Sequence, residues 1–565
     1  MMRSTKALTR RDVAWLVFLS ALLMPFTTAL AQATKSAETP QQRDQRLAWW
    51  REARFGMFIH WGPVSRKGTE IGWSRGSEIP IDEYDHLYQK FNPVKFDADA
   101  WARTAKAAGM KYMVFTTKHH DGFCMFDTKL TDFNIMHSPF GRDVVKELAA
   151  ACKRQGLVFC TYYSVTDWHN PDFPLTSPGG SVKRPVSNLD AYEKYIKGQV
   201  AELIHNYGPL GILWFDVPQL FDGPRGQRLL DHTRALQPSI IVNNRSGVAG
   251  DYDTPEQRVG KYQDSRPWET CMTICNQWAW KPNDTMKSLA DCLHNLILCA
   301  GGDGNLLFNV GPTPEGLIEA RQVARLRAMG AWLDKNGETI YGTRGGPWKP
   351  TRTLASTRKG HTIFVHVLKW DDQPLTLPDI PRKVTAAAVL GGSSVAVKQE
   401  NGHIVIDLPT AQRREIDTIV RLDLDGSAMD LKAIALATPT PVRAAASNVF
   451  QKDVDTFGPE MAFDGDPETR WATDGGTHKA WISAGFATPR TIGRVRIDEA
   501  FPGRTRRFEL QCRNDGAVWK TIFTGTTLGE KFEKAFPPVT AREVRLNILE
   551  ATEGPTINEI ELLEK

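Results

Sequence analysis

The sequence predicts a multidomain protein in which a (β/α) barrel is followed by a β-sandwich and by a second all-β domain. Units of helix, glycine and strand recur up to about residue 335, segments of alternating polarity follow to about 430, and strand-like segments continue to the end of the chain. Hydrophobic residues make up 41% and charged residues 24% of the 565 residues, as in ordinary soluble globular proteins. A formal net charge of +5 gives no electrostatic case for a nucleic-acid partner.

The barrel prediction, over residues 45–338, depends on four helix-to-strand repeats. The predicted helices cover 100–109, 143–155 and 191–207, and the predicted strands cover 112–116, 157–163, 211–215 and 239–242. Strands that each follow a helix run parallel, and this length is typical of a (β/α) barrel. An open doubly wound sheet is the alternative. No glycine-rich phosphate-binding turn follows a strand, so a dinucleotide-binding version loses support.

Residues 1–31 are typical of an export signal. Two arginines at 10–11 precede an apolar run over 13–30, and Ala29-Leu30-Ala31 supplies a small-x-small cleavage pattern. A single membrane anchor is the alternative, but Pro25 and two threonines interrupt the apolar run. We therefore expect an exported protein, periplasmic or extracellular, whose mature chain has no membrane span.

The β-rich part of the chain divides into two predicted domains. Strict alternation, as in residues 361–368, predicts a β-sandwich over 339–430. A stretch of small residues with prolines predicts a linker over 431–446, and residues 447–565 form the last domain.

Three predicted barrel strands end in polar side chains, where barrel enzymes place their reactive groups. His60 follows the first strand, His119 and His120 follow the second, and Asp216 follows the fourth, with Trp214 on the same strand face. Asp216 taken alone is better explained as a helix cap or turn former, but the two other polar strand ends favour a site. Adjacent histidines on an extended strand point to opposite faces, so contact with a polar ligand is favoured over a metal site.

A second carboxylate is expected from the segments after residue 242. The polar loop 251–256 contains Glu256, and Glu269 follows Trp268. Two carboxylates in different environments are the minimum for glycoside hydrolysis. The 17 tryptophans are consistent with a sugar ligand, although most tryptophans in proteins are core residues.

Five motifs in order resemble glycoside hydrolase family 29, the α-L-fucosidases. They are Phe55-Gly56-Met57-Phe58-Ile59-His60-Trp61-Gly62, Lys118-His119-His120-Asp121-Gly122-Phe123, Tyr163-Ser164 with Asp167-Trp168, Leu213-Trp214-Phe215-Asp216, and Asn305-Leu306-Leu307-Phe308-Asn309-Val310-Gly311-Pro312. The resemblance implies a retaining exo-α-L-fucosidase that acts by double displacement, needs no cofactor for catalysis and releases terminal L-fucose from fucosylated glycans.

The resemblance also implies roles for individual residues. Asp216 resembles the nucleophile, and Glu256 is the first choice for the acid/base, with Glu269 as the runner-up. The residues that resemble the fucose-binding set are His60, Trp73, His119, His120, Tyr163, Trp214 and Arg245. Two departures stand out: relatives often carry Glu-Trp where this chain has Gly72-Trp73, and many have glycine where it has Val217.

The C-terminal domain resembles a discoidin-like module of carbohydrate-binding family 32. The matching segments are 462–471, Trp481-Ile482 and 557–560. Asp464 and Asp466, with nearby carbonyls, are candidate oxygen ligands for a structural Ca²⁺. A turn that needs no ion explains these residues equally well.

Two other functions stay open at this stage. One is a non-catalytic carbohydrate-binding protein on a hydrolase scaffold, and the other is a retaining hydrolase of a related sugar such as an α-L-galactoside. Retention of both Asp216 and a later glutamate argues against the first.

Overall fold

The computed structural model describes residues 38–174, 188–219, 221, 223–370, 374–436, 443–465, 469–514, 517–529 and 531–563. The predicted export signal, 1–31, lies outside these residues. In the described part of the chain, no helix is long and apolar enough to cross a membrane.

The first domain contains a seven-stranded parallel sheet in the order β5-β4-β3-β2-β1-β7-β6. Its strands are β1 Phe55–Ile59, β2 Tyr112–Lys118, β3 Val158–Ser164, β4 Ile212–Asp216, β5 Ile241–Val242, β6 Glu269–Thr273 and β7 Asn305–Val310. The helices of this region are α1 Pro40–Ala53, α2 Ile81–Asp85, α3 Ala98–Ala107, α4 Val144–Gln155, α5 Leu189–Tyr207, α6 Gly223–Leu236, α7 Leu289–Gly301 and α8 Ala320–Asn336. The predicted barrel is confirmed, with each predicted strand within two residues of an observed one.

An irregular segment fills the gap between β5 and β6. Tyr252 bridges Asn243, which directly follows β5, and Asp253 bridges Trp268, which directly precedes β6, both in parallel orientation. Backbone hydrogen bonds continue this pairing, with the Glu269 amide donating to the Asp253 carbonyl at 2.9 Å. The segment predicted to be a polar loop therefore lies in the eighth position of the barrel. Its proline and its polar side chains concealed the strand-like backbone from the sequence pattern.

The helix boundaries follow local capping chemistry. Asp97 and Asp143 cap α3 and α4 by accepting a backbone hydrogen bond in the first turn, and Ser288 forms a capping box with Asp291 at the start of α7. Gly156 ends α4 in the left-handed region, at φ 72°, where a glycine has no steric penalty. These caps determine where the helices begin and end, and therefore where the loops to the neighbouring strands begin and end.

The predicted β-sandwich is confirmed by two antiparallel sheets, ordered β12-β15-β10-β9-β8 and β11-β14-β13. The strands are β8 Arg344–Gly345, β9 Leu354–Lys359, β10 Thr362–Val367, β11 Leu375–Pro378, β12 Val384–Val389, β13 Ala396–Glu400, β14 His403–Asp407 and β15 Thr418–Leu424. Inward-facing aliphatic side chains from both sheets form one core.

The last domain is a further antiparallel β-structure with its own core. Its elements are β16 Arg443–Ala446, α9 Val454–Phe457, β17 Trp471–Ala472, β18 Ala480–Glu499, β19 Thr505–Arg513, β20 Lys520–Gly525, β21 Phe532–Ala551 and β22 Thr556–Leu563. Both ends of the predicted linker, 431–446, are packed: Leu431 lies in the sandwich core, and 443–446 pair with β18 as β16. Residues 437–442 lie outside the described residues.

Candidate active site

A cavity lies at the C-terminal ends of the barrel strands, where polar strand ends converge. Its lining residues are Phe58, His60, Trp73, His119, His120, Tyr162, Trp214, Asp216, Val217, Arg245, Glu256, Cys271 and Trp278. The sequence-based candidates Asp216, Glu256, Trp73, Trp214, Arg245 and the three histidines are among them. Tyr163 and Glu269 are not in this set.

Asp216 ends β4 and is held by two donors. Tyr162 donates its hydroxyl to Oδ2 at 2.8 Å, and Arg245 donates Nη1–H to Oδ1 at 2.9 Å. His120 Nε2 lies 3.8 Å from Oδ2. Burial disfavours the ionised carboxylate, but the charge of Arg245, the nearby His120 and these hydrogen bonds outweigh it, so the pKa of Asp216 is lowered. The carboxylate is therefore kept ionised and oriented.

Glu256 shares one nitrogen with Asp216. Arg245 Nη1 lies 2.9 Å from Glu256 Oε2 and 2.9 Å from Asp216 Oδ1, so these two oxygens are no more than about 5.8 Å apart. Retaining glycosidases place their carboxyl groups about 5–5.5 Å apart, and inverting ones about 6.5–9.5 Å. The Glu256 side chain is 42% exposed, so it can exchange protons with solvent at the cavity mouth.

Arg245 is itself held in place by the irregular eighth segment. Its Nε–H donates to the Thr254 hydroxyl at 2.8 Å, and Nη2–H donates to the Thr254 carbonyl at 3.0 Å. Its guanidinium lies over the Trp214 ring, with Cζ 4.9 Å from the ring centroid. The negative charges of Asp216 and Glu256 help raise the pKa of Arg245 despite burial, so the cation is permanent.

Three buried histidines form one side of the cavity. Burial lowers the pKa of His60 and of His120 to about 4, and lowers that of His119 well below its usual value. The Nδ1 atoms of two rings are occupied, by Asn309 Oδ1 at 2.7 Å from His60 and by Ser164 Oγ at 2.7 Å from His120. Neutral imidazoles of this kind suit hydrogen bonding to sugar hydroxyls.

The expectation that His119 and His120 point to opposite faces is wrong. Their ring centroids lie 4.0 Å apart and both rings line the cavity, because both residues follow the last residue of β2 rather than lying within it. In the described ranges, no group of three or more His, Cys, Asp or Glu side chains could hold a metal ion.

The structure places Tyr162 in the cavity instead of Tyr163. The Tyr163 hydroxyl donates to Gln199 Oε1 at 2.7 Å, on the opposite face of β3. Register explains the difference: Tyr162 is paired with Trp214 and Ser164 with Asp216, so alternation directs Tyr162 toward the cavity. The Tyr162 and Trp214 rings are stacked with centroids 5.5 Å apart. Register is the signal that identifies this residue.

Glu269 is the second predicted site residue that the geometry does not support. Its carboxylate is fully buried inside the barrel below the cavity. It accepts hydrogen bonds from Trp50, Tyr112, Trp214 and Tyr252. A group enclosed in this way cannot reach a leaving group. The enclosure is invisible in the sequence because the four donors come from distant segments.

Gly72 and Trp73 form part of the cavity rim. Trp73 packs edge-on against His120 and against Trp168, with centroid distances of 5.3 and 5.4 Å. Gly72 has φ +68°, and a Cβ there would lie 2.8 Å from His119 Nδ1. The glutamate that relatives often carry therefore does not fit this backbone.

Glu70 lies two residues before Gly72 and supports another wall. Its carboxylate accepts hydrogen bonds from the backbone amides of Trp278, at 2.9 Å, and Ala279, at 3.1 Å. Trp278 lines the cavity but is missed by the sequence analysis, as are Phe58 and Cys271. The cysteine carries no chemical signal in the sequence, because a cysteine is usually a buried core residue.

Comparisons with known proteins address the family. A family model described as Alpha-L-fucosidase matches residues 23–338, more than half of the chain. The chain belongs to the α-L-fucosidase family. A second model, the F5/8 type C domain, matches residues 443–562. The predicted family and the predicted C-terminal module are both confirmed.

Individual relatives agree with this family. Human plasma alpha-L-fucosidase is 29% identical over 67% of this chain and 89% of its own length. The solved alpha-L-fucosidase isoenzyme 1 from Paenibacillus thiaminolyticus is 34% identical, with a TM-score of 0.63, over 68% of this chain and 99% of its own. A trapped covalent intermediate of an alpha-L-fucosidase from Bacteroides thetaiotaomicron is 25% identical, with a TM-score of 0.61, over 68% of this chain and 97% of its own.

Proposed function

We propose that this α-L-fucosidase works by double displacement with Asp216 as nucleophile and Glu256 as acid/base. Membership of the α-L-fucosidase family supports the reaction, which is hydrolysis of α-L-fucosides with retention of the anomeric configuration. The observation that supports the two roles is the shared Arg245 nitrogen, which keeps one oxygen of each carboxylate closer to the other than the carboxyl groups of an inverting pair.

The first step replaces the glycosidic bond with an ester. Asp216 Oδ attacks the anomeric carbon of fucose while the bond from that carbon to the aglycone oxygen breaks, and Glu256 gives its proton to that oxygen. Arg245 and Tyr162 orient the attacking carboxylate. The histidines and Trp214 supply hydrogen-bonding and apolar walls for the sugar.

The second step returns the enzyme to its starting state. Glu256, now a carboxylate, takes a proton from water as the water oxygen attacks the anomeric carbon, and the bond to Asp216 breaks. Two inversions give net retention. Since Glu256 is the more exposed of the two carboxylates, it is the one that water and the aglycone can approach.

The two roles are tested with azide and a matched pair of variants. Asp216→Gly should abolish hydrolysis of 4-nitrophenyl α-L-fucoside, and azide should restore part of it. Glu256→Ala should lose activity chiefly on fucosylated oligosaccharides, whose leaving groups need a proton, and azide should speed turnover of the activated substrate. Glu269→Ala is the control, expected to weaken all substrates alike without azide rescue. Near-normal activity of Asp216→Gly would remove it from the mechanism.

The substrates follow from the family and the C-terminal module. Fucosylated oligosaccharides or glycoconjugates are the expected partners, and activity on a panel of differing linkages would define them. Higher activity on an α-L-galactoside than on the fucoside would instead favour a hydrolase of that related sugar.

For the C-terminal module we propose a structural Ca²⁺ held by Asp464 and Glu559. Glu559 is buried, and its Oε2 has no hydrogen-bond partner among the described residues. Burial and the negative charges of Asp464 and Glu561 raise the pKa of Glu559 to about 8. A hard cation relieves this repulsion and satisfies the orphaned oxygen. Asp466, the other predicted ligand, lies outside the described residues.

The calcium proposal is tested by thermal unfolding of the full chain. Calcium should raise the melting temperature of the module relative to a chelator, because a ligand that binds only the folded state stabilises it. In Glu559→Gln that difference should disappear. An unchanged melting temperature in the wild-type protein would contradict the proposal.

The predicted export signal is proposed to direct the chain out of the cytoplasm. This proposal rests on the basic, apolar and small-residue pattern of residues 1–31. Sequencing the N-terminus of protein from the periplasm or medium should give Gln32. Recovery of uncleaved chain in the cytoplasm would contradict it.

A further inference from the structure

Glu269 is a buried carboxylate to which the proposed reaction mechanism gives no role. It begins β6 and its carboxylate is fully buried, two residues before Cys271, which lines the cavity. Residues two apart on a strand share a face, so Glu269 lies on the inward face one layer deeper in the barrel. The carboxylate is thus directly beneath the site.

Each oxygen of this carboxylate accepts two hydrogen bonds. Trp50 Nε1–H donates to Oε2 at 3.0 Å, and the Tyr112 hydroxyl donates to the same oxygen. Trp214 Nε1–H and the Tyr252 hydroxyl each lie 3.3 Å from Oε1. Among the described residues, the ion pairs within 4 Å include none to Glu269. Four neutral hydrogen-bond donors therefore satisfy this buried carboxylate in place of a cation.

One of the four donors belongs to the cavity wall. Trp214 lines the cavity, while Trp50, Tyr112 and Tyr252 belong to the barrel interior. The indole N–H points in a single direction within the plane of the ring. A hydrogen bond from this N–H to Glu269 therefore fixes how the ring is rotated in that plane. Glu269 thereby orients the one lining residue that it contacts through these hydrogen bonds.

The Trp214 ring contacts both donors of the nucleophile. Tyr162 stacks on it at 5.5 Å, and the Arg245 guanidinium lies over it at 4.9 Å. Those two residues donate to Asp216 at 2.8 and 2.9 Å. A carboxylate on the indole N–H also increases the electron density of the ring face that Arg245 contacts, which strengthens the cation–π interaction.

We propose that Glu269 is a positioning residue, which acts through the Trp214 N–H to hold Tyr162 and Arg245 on Asp216. This inference rests on the proposed role of Asp216. Displacement of a catalytic group by about 1 Å can lower a rate about 100-fold. A residue beneath the site can therefore control turnover without touching the substrate.

A double-mutant cycle tests the route through the indole. Glu269→Leu replaces the carboxylate with an apolar group and so removes the acceptor, and Trp214→Phe keeps an aromatic ring but removes the N–H. We expect Glu269→Leu to lower kcat/KM for 4-nitrophenyl α-L-fucoside by about 10- to 100-fold in the wild-type background. In the Trp214→Phe background, Glu269→Leu should lower kcat/KM by less than about 3-fold. Equal losses in both backgrounds would overturn the proposal.

A matched control separates positioning from stability. Tyr252→Phe removes the other donor from the same Oε1 oxygen, but its ring does not line the cavity. It should lower the melting temperature and leave kcat/KM within about 2-fold of wild type. A loss in Tyr252→Phe as large as that in Glu269→Leu would mean that Glu269 acts only by supporting the barrel.

A second measurement applies if Glu269→Leu does not fold. Trp214 is replaced by β-(3-benzothienyl)alanine, which has sulfur in place of the indole N–H and leaves Glu269 with three donors. We expect kcat/KM to fall at least about 10-fold. The acid limb of the pH profile of kcat/KM should move to higher pH, because looser contacts from Arg245 and Tyr162 raise the pKa of Asp216.

The groups that surround Asp216 and contribute to that limb are Arg245, Tyr162, His120, His60 and Cys271, with Glu256 across Arg245. Unchanged kcat/KM and an unchanged acid limb in the benzothienyl enzyme would overturn the proposal. Failure of azide rescue in Asp216→Gly would instead count against the assigned nucleophile, so the two failures are distinguishable.

Discussion

The buried histidines of the cavity should make the barrel lose stability between pH 6.5 and pH 4. The pKa of His60 and that of His120 are each lowered by burial from 6.5 to about 4. The folded state therefore favours the neutral ring, whereas the unfolded chain takes up a proton below pH 6.5. Stability from each histidine is present above pH 6.5 and is lost as the pH falls toward 4.

The size of the effect follows from the two pKa values. A shift of 2.5 between 6.5 and about 4 corresponds to about 3 kcal/mol for one histidine. About 2.5 kcal/mol of this is already lost at pH 4.5, because the folded ring is still mostly neutral there. Carboxylates elsewhere also titrate in this range, so the informative quantity is the difference between wild type and a variant that lacks one histidine.

His120→Gln removes one such group without adding a charge. Urea unfolding is followed by tryptophan fluorescence at pH 7 and pH 4.5, using the transition that coincides with loss of activity in the wild-type protein. The decrease in the free energy of unfolding between the two pH values should be about 2.5 kcal/mol smaller in His120→Gln than in wild type. His403→Gln, at an exposed position in the β-sandwich, is the control and should match wild type. The same decrease in all three proteins would refute the reasoning.

Two further predictions concern barrel packing and the cavity rim. Asp303→Asn should lower the free energy of unfolding by about 3–5 kcal/mol, because it leaves the fully buried Arg54 guanidinium without its carboxylate partner at 2.6 Å. The matched variant Asp99→Asn, which breaks an exposed ion pair with Arg154, should leave the urea midpoint close to that of wild type. Gly72→Ala should lower kcat/KM about 10-fold by displacing His119, whose Nδ1 lies 2.8 Å from the new Cβ position. Gly156→Ala has a similar positive φ and nothing within 4 Å, so it should change stability but not kcat/KM, and equal kinetics in the two variants would contradict the steric argument.

Sequence patterns are sufficient for the features that local chemistry determines. A few neighbouring residues encode the ends of helices, as at the caps Asp143 and Gly156, and the ends of strands, as at Asp216. The predicted ends lie close to the observed positions. The five motifs are sufficient for the family, which the comparison confirms.

Features that depend on long-range pairing are not predictable in the same way. Choosing Tyr162 over Tyr163 requires the register of β3 against β4, and recognising 251–256 as the eighth barrel segment requires its bridges to residues beside β5 and β6. Glu269 resembles a free carboxylate in the sequence because its four donors are contributed by segments up to 219 residues away. Sequence patterns carry residue type and spacing, but these properties arise only when the barrel closes.

The most direct test of the central claim is the configuration of the first product. Asp216 and Glu256 share Arg245 Nη1 at 2.9 Å each, which keeps the two bridged oxygens closer together than the carboxyl groups of an inverting pair. Proton NMR during the first minutes of 4-nitrophenyl α-L-fucoside hydrolysis, before mutarotation, resolves the two anomers of L-fucose. Double displacement predicts that α-L-fucose appears first, and initial accumulation of β-L-fucose would contradict it.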